Sequence, residues 1–156
     1  MILTTHALTG AVIGKFIPSP WAIGTIALAV HFALDHLRHG EYVESFDSRV
    51  AFRNTWWKIL LDLSLGGIII LAALYFGPPS RTLVGHILLG SFSSMFPDLL
   101  TLLYWKTKVS WLRPIYSFHS WAHRFPRHAP ERIWNLRNAI NDILLSSAAI
   151  IALFLL

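Results

Sequence analysis

The sequence predicts an all-α fold: a polytopic membrane helical bundle of about five apolar helices plus a short interfacial helix. Hydrophobic residues make up 54% of the 156 residues and charged residues only 13%, about half of the ~25% found in soluble domains. No Asp, Glu, Lys or Arg occurs in residues 1–14, 16–34, 63–80, 82–97 and 143–156. Length and charge pattern together indicate one integral-membrane helical domain over residues 1–156.

The first two apolar segments are short and are separated by a turn that contains prolines. The first extends from about Leu3 to Phe16. Because a bilayer needs ~20 helical residues to be spanned, we expect this segment to tilt, lie shallow or re-enter. Pro18 and Pro20 mark the turn, and proline suits the first turn of the helix that follows. That second helix is predicted from about Trp21 to Arg38.

The other three apolar segments are longer. The third is predicted from about Trp56 to Phe76 and ends at Gly77-Pro78-Pro79, a sequence that stops a helix. The fourth extends from about Thr82 to Trp105, where Pro97 should kink it or begin a new helical piece. The last helix is predicted to start at about Glu131 and to continue to the end of the sequence.

A basic and aromatic segment from Lys106 to Arg137 follows the fourth apolar segment. Within it, His119 and His123 have the i, i+4 spacing of one helical face. Aromatic residues flank the pair, namely Phe118, Trp121 and Phe125. This pattern predicts a short amphipathic helix whose aromatic side chains enter the membrane interface while both imidazoles face the bundle.

The positive charges indicate the orientation of these helices. If all five segments cross the membrane, eleven of the thirteen Lys and Arg residues fall on one side, and only Lys15 and Arg81 fall on the other. The positive-inside rule makes the richer side cytoplasmic. The net charge of +5 therefore reflects basic loops beside membrane lipids, and no nucleic-acid partner is expected.

Ionisable residues inside apolar helices are costly and usually have a function. His31, Asp35 and His39 are spaced i, i+4 and i+8, which places them on one face of the second helix. Six more such residues fall in the cytoplasmic half or its loops: His6, Asp62, Asp98, His119, His123 and Asp142. The predicted topology therefore brings these side chains towards one side of the membrane.

Imidazoles and carboxylates together favour a divalent metal, Zn²⁺ first, with Mn²⁺ or Fe²⁺ as alternatives. The chain has no cysteine, which excludes thiolate metal sites, disulfides and cysteine nucleophiles. His39 or Asp62 would orient a ligand or act as general base. The same groups could instead only pair with one another and with arginines. We expect six metal ligands, enough for two ions: His6, His31, Asp35, Asp98, His119 and His123.

Four short stretches carry a resemblance to a known family. They are Thr5-His6-Ala7-Leu8-Thr9-Gly10, the stretch from His31 to Glu41, the stretch from Gly90 to Phe96-Pro97-Asp98, and Phe118-His119-Ser120-Trp121-Ala122-His123. They resemble small bacterial inner-membrane proteins described as metal-dependent hydrolases, a helical family distantly similar to zinc-dependent phospholipase C. The resemblance implies a metal site in a multi-pass protein of the bacterial inner membrane. Many relatives have a second acidic residue after Pro-Asp, where this chain has Leu99-Leu100.

These observations favour a membrane-embedded metal-dependent hydrolase that acts at the cytoplasmic membrane face. A phosphoester or lipid-like substrate fits this depth, and Arg124 and Arg127 are near enough in sequence to the histidine pair to bind its phosphate. A metal-ion or proton-coupled transporter is one alternative, because His and Asp inside helices also mark ion pathways. A non-enzymatic membrane scaffold, whose basic loops bind lipid or a partner, is another.

Overall fold

The computed structural model describes residues 1–42, 46–77 and 80–155. Within these ranges the regular structure is helical throughout. One turn of 3-10 helix, Ser110–Leu112, precedes the fifth helix. The six α-helices are α1 (Leu3–Phe16), α2 (Pro20–Asp35), α3 (Arg49–Phe76), α4 (Arg81–Thr107), α5 (Arg113–Ala122) and α6 (Leu136–Leu155).

Three of these helices, α3, α4 and α6, are long and apolar enough to cross a membrane. The helices α1 and α2 are shorter, at 14 and 16 residues, and of these two α2 is an apolar helix. The predicted all-α fold is therefore confirmed. The predicted count of about five apolar helices is not confirmed, since three helices have the length and composition of membrane spans and α2 is a shorter apolar helix. The short helix predicted around His119 is α5, and His123 is the residue that ends it.

The third helix begins earlier than predicted because a serine caps it. Oγ of Ser48 accepts a hydrogen bond from the backbone N–H of Ala51 at 3.0 Å, which satisfies a donor that the first turn leaves free. The helix therefore starts at Arg49. It ends at Phe76 as predicted, with Gly77 as its C-cap, and Pro78-Pro79 lie outside the described residues.

The helices α2 and α6 are shorter than predicted, and α4 is continuous through its proline. α2 ends at Asp35 and α6 begins at Leu136. Pro97 lies inside α4 and does not end it. Proline has no N–H and loosens the preceding turn, and in that turn the carbonyl oxygen of Ser94 accepts a hydrogen bond from His31.

The central helix of the bundle is α1, which contacts α2, α3, α4 and α6. It approaches α4 closely: a Cβ added at Gly10 would lie 2.2 Å from the carbonyl oxygen of Gly90, and one at Gly14 would lie 2.0 Å from that of His86. Only glycine permits such a backbone contact between helices. The apolar core is formed by residues of α1 and of the helices that pack on it: Ala7, Leu8, Ala11, Ile70, Ile87, Ala149 and Leu153.

Both ends of α1 are tied to neighbouring helices. The first backbone N–H groups of its N-terminal end donate to Asp62 of α3 and Asp142 of α6, at 2.7 to 3.2 Å. At the other end, Nζ of Lys15 donates to the carbonyl oxygens of Ala152 and Leu153 in the last turn of α6. Carboxylates favour a helix N-terminus and cations a helix C-terminus, so these contacts hold α1 and α6 side by side in the same direction.

Candidate metal centre

Four polar side chains from three helices meet at the end of the bundle where α1 begins. α2 places His31 and Asp35 one turn apart on one face, and both side chains are almost fully buried. α4 supplies Asp98 and α5 supplies His119. One ligand atom from each residue lies within 4.8 Å of the others. We refer to these four residues as the quartet.

The distances within the quartet suit a shared cation. Oδ2 of Asp35 is 3.0 Å from Nε2 of His31 and 2.9 Å from Nε2 of His119. The two Nε2 atoms are 3.2 Å apart, and Oδ1 of Asp98 is 3.6 Å from Nε2 of His119. Two tetrahedral ligands, each about 2.1 Å from one ion, are about 3.4 Å from each other. The quartet therefore has the spacing of a tetrahedral ligand set.

The hydrogen bond behind His31 determines which nitrogen faces the quartet. Nδ1 of His31 lies 2.7 Å from the carbonyl oxygen of Ser94. A carbonyl oxygen only accepts hydrogen bonds, so Nδ1 carries the hydrogen. Nε2 of the neutral ring then carries an unprotonated lone pair. That lone pair faces the carboxylate of Asp35, which is also an acceptor. Only a cation between them, either a proton or a metal ion, makes the arrangement favourable.

His119 is held from behind in a similar way. Its Nδ1 lies 2.6 Å from Oγ1 of Thr101, a residue one turn after Asp98 on α4. Because Nδ1 is engaged in this hydrogen bond, Nε2 is the ring nitrogen that faces the quartet. Phe32 packs edge-on against the rings of both His31 and His119. Partners of this kind fix the tautomer and the ring orientation of metal-binding histidines.

The other oxygen of Asp35 has different neighbours. Oδ1 lies 3.1 Å from Nε2 of His6 and 2.5 Å from the amino group of Met1. The ring of His6 also packs on that of His31, with 4.2 Å between centroids, and its Nε2 is 4.0 Å from Oδ2 of Asp98. His6 therefore borders the quartet and holds Asp35 from its Oδ1 side.

The loops bring His39 and His123 to the border of the quartet as well. Nε2 of His123 is 3.6 Å from Oδ2 of Asp35, and Oε1 of Glu41 contacts both histidines. Burial lowers the pKa of His123 to about 3, although Asp35 and Glu41 oppose the shift. The ring of His123 is therefore neutral at physiological pH. Burial also disfavours ionised Glu41, but its hydrogen bond with His39 and nearby positive charge hold its pKa below the usual range.

Asp62, the other predicted general base, lies at the start of α1. Its carboxylate accepts the backbone N–H groups of Leu3 and Thr4, and its backbone carbonyl accepts the hydroxyl of Thr4 at 2.6 Å. Asp142 accepts the hydroxyl of Thr5 at 2.9 Å. The carboxylate contacts to the backbone N–H groups cap the start of α1, and together with the two threonine contacts they anchor the helix that carries His6. A role of Asp62 as general base stays a prediction.

Sequence reasoning missed four residues around the quartet: Glu41, Ser94, Thr101 and Arg132. Arg132 is buried and donates to Oε2 of Glu41 and to the carbonyl oxygen of Phe125. For Glu41 there was a signal, because it follows His39 by two residues in a charged stretch. For Ser94 there was none, because it acts through its backbone carbonyl, which every residue has.

Buried polar atoms on residues in and around the quartet test whether a metal ion fits there. Oδ2 of Asp98, Nδ1 of His123 and Nδ1 of His6 are buried and have no hydrogen-bond partner among the described residues. Such atoms are uncommon in native proteins, and a cation would satisfy those that face it. His6 faces the quartet through Nε2, so its Nδ1 does not count towards this test. The buried His/Asp cluster could hold a metal ion. In comparisons with known proteins, no protein-family model, no curated protein and no solved structure matches this chain.

Proposed function

We propose that the protein is a metal-dependent hydrolase embedded in the membrane. The quartet carries the proposal, because two histidines, each held at Nδ1, direct Nε2 at one carboxylate. His31, Asp35, Asp98 and His119 are the proposed ligands of one divalent ion. Zn²⁺ fits best, since it takes four nitrogen and oxygen ligands in a tetrahedron, and Mn²⁺ or Fe²⁺ suits the same donors.

We place the protein in the bacterial inner membrane as a multi-pass protein, and helix lengths and charge support the multi-pass membrane part of this proposal. Three helices have the length and composition of spans. The quartet lies at the end of α1 opposite to Lys15, and this is the end of the bundle with the loops that carry most of the Lys and Arg residues. By the positive-inside rule the site faces the cytoplasm. This location agrees with the resemblance to the inner-membrane hydrolase family.

The proposed ligands differ in how exposed they are, which indicates the side from which a substrate can reach the ion. A divalent ion held there would supply Lewis acidity, which activates water and polarises a carbonyl or phosphoryl oxygen. Asp35, His31 and His119 are nearly inaccessible, whereas the side chain of Asp98 is 30% exposed. The substrate therefore approaches from the side of Asp98, while the buried ligands exclude water behind it.

A phosphoester with a lipid-like body is the proposed substrate. The site lies where apolar helices meet basic loops, which is the depth of a lipid headgroup. Arg124 follows His123 and is exposed, a position from which it can bind a phosphate. In the proposed reaction the oxygen of water bonds to phosphorus, the phosphorus–oxygen bond to the alcohol breaks, and one proton of water goes to the leaving alcohol.

Metal retention is the first test. Protein purified in detergent is treated with chelator, reloaded with Zn²⁺ and passed over a desalting column before its metal content is measured. Wild type should retain Zn²⁺, and His119→Ala should lose most of it. His128→Ala is the matched control, because the side chain of His128 is 64% exposed and pairs with Asp47. Loss of metal from the control alone, or no retention by wild type, would contradict the proposal.

Hydrolysis is the second test, on the same three proteins. A chromogenic phosphodiester and a phospholipid dispersed in detergent serve as substrates. Wild type and His128→Ala should release product only when loaded with metal, and His119→Ala should be inactive. Metal retention without hydrolysis, combined with metal uptake into proteoliposomes, would instead support the transporter.

A further inference from the structure

A second group of polar side chains adjoins the quartet. His39 and Glu41 lie in the loop after α2, and His123 ends α5. Their side chains are 1%, 17% and 10% exposed, respectively. Asp35 belongs to both groups, because one ligand atom each of Asp35, His39 and His123 also lies within 4.8 Å of the others.

His39 repeats the arrangement seen at His31. Its Nδ1 lies 2.6 Å from the carbonyl oxygen of Leu37, so this nitrogen donates the hydrogen bond. Nε2 of the neutral ring then carries an unprotonated lone pair. Nε2 lies 2.5 Å from Oε1 of Glu41, which is also an acceptor. Two acceptors this close need a cation: a proton on Nε2 makes the contact a hydrogen-bonded ion pair, and a metal ion bound by both side chains would displace that proton.

His123 brings a second imidazole nitrogen close to the same oxygen. Its Nδ1 lies 3.3 Å from Oε1 of Glu41, but it is out of hydrogen-bond alignment and has no other partner among the described residues. This distance is close to the separation of about 3.4 Å between two ligands of one tetrahedral ion. The nitrogen belongs to a side chain that is nine-tenths buried, so water does not readily satisfy it.

We propose that His39, Glu41 and His123 hold a second divalent cation next to the first one, with Asp35 shared between the two ions. Arg132 occupies Oε2 of Glu41 and so directs Oε1 towards the histidines. The proposal rests on the proposed function, because the quartet supplies the first ion. It also changes the role of His39 from the predicted general base to a ligand.

A carboxylate shared by two ions has a consequence for the substrate. Paired ions in hydrolytic sites are about 3.5–4 Å apart and together hold the attacking and the leaving oxygen of an in-line displacement. Such a pair recognises a phosphoester better than a carboxylic ester, because phosphate offers several anionic oxygens. The second site therefore suits the phosphoester that is already the proposed substrate.

Stoichiometry and magnetic coupling test the second site. Protein freed of metal is titrated with Mn²⁺, which reports by electron paramagnetic resonance as well as by bound metal. Wild type should bind two ions per chain and show exchange-coupled Mn²⁺. His39→Gln and Glu41→Gln should each bind one ion and show the spectrum of isolated Mn²⁺. His128→Ala should match wild type, and circular dichroism should confirm the fold of each variant.

Each other outcome has a definite meaning. One uncoupled ion in wild type, unchanged in His39→Gln, would overturn the second site and leave the proposed function intact. Two ions in both variants would also overturn it. No bound ion in wild type would overturn the proposed function and the second site together. The wild-type spectrum decides the question even if a variant fails to fold.

Discussion

Replacing Gly90 by alanine should force α1 away from α4. The new Cβ would lie 2.1 Å from the carbonyl oxygen of Gly10, whereas real Cβ contacts essentially never fall below 3.0 Å. The helices must therefore separate locally by about 0.9 Å. Overpacking of this kind costs about 1–3 kcal/mol, and each kcal/mol lowers the thermal midpoint of a chain of this size by about 2–4 °C.

Gly85→Ala is the matched control, because it lies on the same helix and an added Cβ there would meet nothing within 4 Å. Alanine favours a helix over glycine by up to about 1 kcal/mol, so this variant should be as stable as wild type or more stable. Thermal unfolding followed by circular dichroism in one detergent measures both. Since α1 carries His6 and α4 carries Asp98, Gly90→Ala should also retain metal less well. Equal midpoints for the two variants would refute the packing argument.

Four further predictions follow from the site and the topology. Thr101→Val should keep the fold and lower metal affinity about 10–100-fold, measured by competition with a chromogenic chelator. Asp62→Asn should lower the thermal midpoint and leave metal content unchanged, since an amide has only one acceptor oxygen for the two N–H groups that Asp62 binds; lost activity at an unchanged midpoint would favour the general base. Chelator should lower the midpoint of wild type and leave that of His119→Ala nearly unchanged, because metal binding stabilises only a protein that has its ligands; equal shifts would contradict the assignment. Reporter fusions after Phe76 should appear outside and those after Lys108 inside, and the reverse would place the site on the outer face.

The sequence was sufficient where the signal is local or depends on topology. His31 and Asp35 are one turn apart, so their common face follows from helical periodicity alone. Asp98 and His119 were placed on the same side only by counting positive charges in the loops. The structure brings these four residues together, with ligand atoms within 4.8 Å.

Contacts between the backbones of different helices could not be predicted from the sequence. The spacing of Gly10 and Gly14 is typical of close helix packing, but the partner Gly90 becomes known only once the helices are placed. Asp62 shows a second limit, because a carboxylate in an apolar helix can bind a metal or cap another helix. The sequence has the same residue in both cases, and the start of α1 decides between them.

The position of α1, surrounded by helices that follow it in the chain, has a consequence for how the protein is inserted and folded during synthesis. This helix precedes its partners α3, α4 and α6 in the chain, so a ribosome completes it well before they exist. Until then, Thr5 and Lys15 lack the groups from α6 to which they donate, and lipid offers no substitute for those acceptors. The segment must therefore wait at the membrane surface or beside the insertion machinery and dock late. Nascent chains arrested before α6 should have an α1 that is open to protease, and full-length chains should protect it.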